Sequence, residues 1–99
     1  MTSHFKITLA QLNPVVGDLA GNAAKAKDAH ARAARDGADL VVLPELFLTG
    51  YPPEDLVLKP AFQDACHAAL DGLAAVTASG PAMLLGTIWC EHGHVYNAA

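Results

Sequence analysis

The sequence predicts an α/β fold with its elements in the order β-α-β-α-β-β. Three observations carry that expectation. Short apolar runs alternate with longer amphipathic stretches, the pattern of strands joined by crossover helices. Gly and Pro mark the boundaries at Asn13-Pro14, Gly37, Pro44 and Gly80-Pro81. The chain is 53% hydrophobic and only 16% charged, which supplies material for a core and excludes a disordered segment.

Residues 5–12 begin with apolar-polar alternation and then turn mostly apolar, so they read as a strand. Asn13-Pro14 closes it and Gly17-Asp18 marks a turn. Asn22 is placed to cap a helix that runs to about Asp36, with Gly37 as its stop. Lys25, Asp28, Arg32 and Arg35 give that helix a charged outer stripe, and Ala23, Ala26 and Ala33 give it a small-residue inner one. Leu40-Val41-Val42-Leu43 follows, a β-branched run suited to a strand buried on both faces. Residues 49–56 read as a loop, because Gly50, Pro52 and Pro53 exclude regular structure. Pro60 opens a second helix with an apolar face of Phe62, Cys66, Ala69, Leu73 and Val76. Asp64, His67 and Asp71 form its polar face. Residues 83–90 read as one strand, Glu91 to His94 as a hairpin turn, and Val95-Tyr96-Asn97 as the start of the return strand.

Composition removes several function classes. The net charge of −4 is not the basic footprint of a general nucleic-acid binder. There is no apolar run of membrane-spanning length, no polybasic membrane signal and no signal-peptide layout at the N-terminus. Two cysteines, Cys66 and Cys90, are too few for a disulfide framework, so a reducing, cytoplasmic setting is the default.

Glu45 is the sharpest candidate for chemistry. It is the lone charge in Leu-Val-Val-Leu-Pro-Glu-Leu-Phe-Leu, just past a buried strand, where open α/β sheets place their ligands. Partial desolvation there would suit a carboxylate to general-base work. The plainer alternative is a capping or ion-paired glutamate at a strand end. Tyr51, on a loop stiffened by Pro52 and Pro53, could form a pocket wall or belong to an ordinary rigid connection. Cys90-Glu91-His92-Gly93-His94 invites a metal reading, but a hairpin explains it better and no metal site is expected. Cys66 reads as core, His67 as surface, and neither cysteine as a nucleophile. No Gly-x-Ser-x-Gly, phosphate-binding glycine loop or paired zinc motif occurs.

Three segments together resemble the nitrilase superfamily: Ala10-Gln11-Leu12-Asn13-Pro14 with Gly17-Asp18 and Asn22; Gly37 through Glu45 to Thr49-Gly50-Tyr51; and Gly86 through Tyr96-Asn97-Ala98-Ala99. Within it, Gly50-Tyr51-Pro52-Pro53-Glu54-Asp55-Leu56 and Lys59-Pro60-Ala61-Phe62 look like the glutamine-dependent NAD synthetases. The resemblance implies a four-layer α-β-β-α sandwich, of which residues 1–99 would be the N-terminal portion. It implies a Glu-Lys-Cys triad with Glu45 as general base, the lysine and cysteine lying beyond Ala99, and Tyr51 as a wall of the glutamine pocket. It further implies a synthetase domain that uses ATP and Mg, and a homo-oligomer. On this reading the segment needs no cofactor of its own, turns over no glutamine alone, and leaves an apolar face and sheet edges uncovered. A free-standing amidase or nitrilase of the superfamily, or a non-catalytic assembly module on the same fold, are the other readings.

Overall fold

The computed structural model describes residues 3–99. Strands β1 (Ile7–Leu9), β2 (Leu40–Val42) and β3 (Ala82–Leu84) form a parallel sheet in that order. The register aligns Ile7 with Leu40 and Ala82, and Leu9 with Val42 and Leu84. Helix α1 (Leu19–Arg35) joins the first pair of strands and helix α2 (Pro60–Val76) the second. Strands β4 (Thr87–Glu91) and β5 (His94–Ala98) form a separate antiparallel hairpin. The α/β class expected from the sequence is found, with one strand more than the expected order: β-α-β-α-β-β-β.

The pleat sorts the sheet residues by face. Val41 is fully buried and packs with the α1 alanines Ala23, Ala26, Ala29 and Ala33, together with Phe47, Leu48 and Leu73. Small side chains let α1 approach closely, and α2 packs beside it. Residues of the opposite pleat lie bare: Leu9 is 68% exposed, Ile7 50% and Leu84 46%. Both helices thus cover one face, and the other exposes apolar side chains, as the resemblance implied.

Several boundaries differ from expectation. Helix α1 begins at Leu19, one turn before the position assigned from Asn22. Its cap is Asp18, whose carboxylate accepts from the Gly21 amide at 2.9 Å. The stop at Gly37 holds: Ala38 N–H reaches Ala33 O and Gly37 N–H reaches Ala34 O, the Schellman pattern. The run 83–90 is two strands, because the chain leaves β2 after Leu84 and pairs with β5 from Thr87. The segment read as a loop contains a 3-10 helix over Glu54–Leu58, which starts as soon as the prolines are passed. The hairpin turn is as predicted, with His92 and Gly93 at φ 52° and 77°, a type I′ turn.

Candidate active site

Glu45 follows β2 at the carboxyl end of the parallel sheet, the side on which α/β sheets bind ligands. Its turn is fixed by what comes next. Leu46, Phe47, Leu48 and Thr49 are all buried. Leu46 goes into a cluster with Cys66 and Ile88, whereas Phe47 and Leu48 go into the main core. Leu46 takes φ 49°, a left-handed conformation that a leucine holds only when its surroundings impose it. Pinned in both directions, the turn leaves Glu45 as the one exposed residue from Val41 to Gly50.

Two distant residues shape this turn. Asn22, fully buried within α1, accepts from Val15 N at 2.8 Å and donates to Val15 O at 2.8 Å and Leu48 O at 2.9 Å. Its amide therefore ties the Glu45 turn to the segment before α1. Gly86 lies against the same turn, where a methyl group would fall 2.5 Å from Pro44 O and also against Leu46 N. That contact leaves no room for a side chain, and Gly86 O accepts from Leu48 N at 3.1 Å.

The carboxylate faces a cleft of about 410 Å³ lined by Leu43, Glu45, Leu84, Gly86, Asn97, Ala98 and Ala99. Asn97 Nδ2 donates to Glu45 Oε1 at 2.6 Å. A second cleft of about 490 Å³, along residues 9–13 and 42–44, shares the Leu43 wall. The expectation that Glu45 is partly desolvated is not met, since the carboxylate is exposed. The reason is the bare sheet face, on which the cleft opens without a cover.

Tyr51 is 62% exposed and does not line the Glu45 cleft. Its loop packs instead on the turn before α1: Gly17 N–H donates to Thr49 O at 2.9 Å, and Gly50 sits against the Val16 backbone. The metal reading of residues 90–94 fails on strand geometry. Cys90 packs inward beside Ile88 and Val95, whereas His94 stands on the other face, its ring 6.1 Å from that of Tyr96. Among the described residues no group of three or more His, Cys, Asp or Glu could hold a metal. Cys66 is core as expected, and burial pushes its thiol up to about 11, with neighbouring Cys90 as the smaller cause; a thiol so raised is no nucleophile. His67 is not plain surface, since its ring meets Trp89 edge-on at 5.0 Å. His30 is a satisfied core histidine, 3.0 Å from Pro81 O. Sequence reasoning missed Asn22, Gly86 and Asn97 as site-building residues. Their signal was their place in the segments that carry the resemblance.

Residues 6–99 match the family model for carbon-nitrogen hydrolase. The chain belongs to the carbon-nitrogen hydrolase family. Among curated relatives of this hydrolase segment, the glutamine-dependent NAD(+) synthetase of Rhodobacter capsulatus is 54% identical over 98 residues. That alignment covers 99% of this chain and 18% of the relative, so the chain spans under a fifth of that protein's length. Among solved structures, the glutamine-dependent NAD(+) synthetase of Cytophaga hutchinsonii superposes with TM-score 0.81 at 28% identity, covering 96% of this chain and 16% of that one. A glutamate-to-leucine mutant of the amidase from Nesterenkonia sp. AN1 also superposes with TM-score 0.81, at 30% identity, covering 90% of this chain and 34% of that one. The amidase structure shows covalent addition of the acetamide moiety of fluoroacetamide at the active site cysteine. The hydrolase fold expected from the resemblance is thus borne out. No helix among the described residues is long and apolar enough to cross a membrane.

Proposed function

We propose that this chain provides the general base of a glutaminase that feeds ammonia to NAD synthesis. Glu45 is that base. The observation that carries this reading is a carboxylate fixed on a cleft at the carboxyl end of a parallel sheet, in a chain 54% identical to a glutamine-dependent NAD(+) synthetase. Glu45 takes the proton of a cysteine thiol supplied by another part of the hydrolase domain, and the electron pair stays on sulfur. The thiolate attacks the side-chain amide carbon of glutamine, and a lysine, also from elsewhere in the domain, stabilises the oxyanion. The proton returns through Glu45 to the leaving nitrogen, ammonia departs, and a thioester remains. Glu45 then activates water, whose attack releases glutamate and restores the thiol.

In the full-length protein the ammonia passes to a synthetase portion that uses ATP and Mg to amidate nicotinic acid adenine dinucleotide. Tyr51 would contact glutamine only once the rest of the domain closes the cleft. A cytoplasmic setting and a homo-oligomer accompany this reading. The test is Glu45→Gln in the full-length protein, which should lower glutamine hydrolysis by at least 10²-fold while leaving the fold intact; retained hydrolysis overturns the assignment. A second reading, an amidase acting on small amides, is favoured by the amidase superposition. Turnover of short aliphatic amides without NAD formation would select it.

A further inference from the structure

We infer that Asn97 is a positioning residue for Glu45, holding one carboxylate oxygen so that the other is presented to the proton it must take. This rests on the reading of Glu45 as the base. Asn97 Nδ2 donates to Glu45 Oε1 at 2.6 Å across 52 residues of sequence. It is the one hydrogen bond between two side chains among the described residues, and it falls on the candidate base.

Both ends of the bond are held by structure formed for other reasons. Glu45 is fixed by the buried residues that follow it. Asn97 is fixed by the hairpin register, which pairs it with Ile88. Ile88 is buried against Leu46, the residue next to Glu45. The hairpin face that packs on the Glu45 turn is therefore the face from which Asn97 projects. Two independently anchored backbones bring the groups together, so little further ordering is needed to form the bond.

The residue type suits the task. An amide donates to a carboxylate without adding charge, and it does not compete for the proton. With Oε1 engaged, rotation of the carboxylate about its last bond is restrained, and Oε2 is left free to take the proton. The other lining residues, Leu43, Leu84, Gly86, Ala98 and Ala99, carry no polar side chain, so Asn97 is the side chain in the cleft able to orient Glu45.

The experiment is steady-state glutaminase kinetics of the full-length protein, comparing Asn97→Ala, the isosteric Asn97→Asp and Glu45→Gln across pH. Asn97→Ala should lower kcat roughly ten- to hundredfold with KM for glutamine changed less than about threefold. Asn97→Asp sets a second carboxylate against Glu45, and two carboxylates at that distance resist joint ionisation. The acidic limb of its pH profile should therefore move to higher pH, a change that a purely structural role would not produce. An unchanged kcat in Asn97→Ala, or an unshifted limb in Asn97→Asp, overturns the proposal. If those results come with an inactive Glu45→Gln, the base reading stands and only the positioning role falls. An active Glu45→Gln removes both.

Discussion

Asn22 and Leu48, separated by 26 residues, are joined by a buried hydrogen bond of 2.9 Å from the Asn22 amide to the Leu48 carbonyl. Through it, a residue in the first turn of α1 holds the turn that carries Glu45. Asn22 also closes both backbone groups of Val15, so one side chain joins three segments of chain.

Replacing Asn22 by Ala strands the Leu48 carbonyl and the Val15 amide, while Val15 O keeps its bond from Asp18 N–H. A buried polar group without a partner costs about 1–3 kcal/mol, so Asn22→Ala should destabilise the protein by about 2–4 kcal/mol. Chemical denaturation of the full-length protein measures this through its first unfolding transition. A midpoint within error of the parent would show that the amide does not hold the turn.

Gly86→Ala should cut glutamine hydrolysis more than tenfold, since the added methyl meets the Pro44 and Leu46 backbone and the Glu45 turn must move. Gly72→Ala is its control. Gly72 lies inside α2, and nothing lies within 4 Å of a Cβ there. That substitution should leave activity alone and raise stability by about 0.5–1 kcal/mol. Equal activity in the two variants would rule out the close approach at Gly86.

Cys66 should resist alkylation until strongly alkaline pH, because its thiol is raised from 9.0 to about 11 by burial first and Cys90 second. The sign for stability follows from proton binding. Between pH 9 and about 11 the folded chain keeps a proton that the unfolded chain has shed. The contribution of Cys66 is fully present below pH 9 and is lost as pH rises through about 11. Its upper limit is roughly 2–3 kcal/mol. Denaturation midpoints of the parent and Cys66→Ala, followed across that window, should converge; parallel curves would contradict it.

The 99-residue chain expressed alone should release no ammonia from glutamine and should aggregate through Ile7, Leu9 and Leu84. Lysines at positions 9 and 84 should raise its soluble yield. If the remainder of the domain packs on this face, as the proposed function requires, the same pair should lower the melting temperature of the full-length protein. Measurable glutaminase activity from the segment would refute the assignment of nucleophile and lysine to other parts of the domain.

Much of this fold is legible in the sequence, for local reasons. Helix α2 follows from Pro60 and a 3.6-residue repeat, the end of α1 from Gly37, and β2 from a β-branched run closed by Pro44. The errors come where a distant partner decides. Asp18 and Asn22 are both good caps, four residues apart, and local chemistry does not rank them. Leu48 does, by taking the Asn22 amide into the core. The strand break at Leu85-Gly86 is hidden in an unbroken apolar run because it marks a change of pairing partner, not of composition. Glu45 stood out as a lone charge, whereas Asn97 had no local mark, since its part depends on a residue 52 positions away. Tyr51 was placed by resemblance, and within these residues it is not part of the cleft's lining.

The contact between Gly86 and the Glu45 turn bears on which changes of length the molecule can accept. After leaving β3, the chain bonds its Gly86 carbonyl to Leu48 N–H, so the turn serves as the neighbour that β2 no longer provides. One residue added between Pro44 and Gly50 would shift Leu48 out of reach of both Gly86 and Asn22. The tip at His92-Gly93 has no such obligation, since both residues are exposed and a Cβ on Gly93 would meet open space. Insertions and deletions among homologous genes should therefore gather at the hairpin tip and spare the seven positions from Pro44 to Gly50.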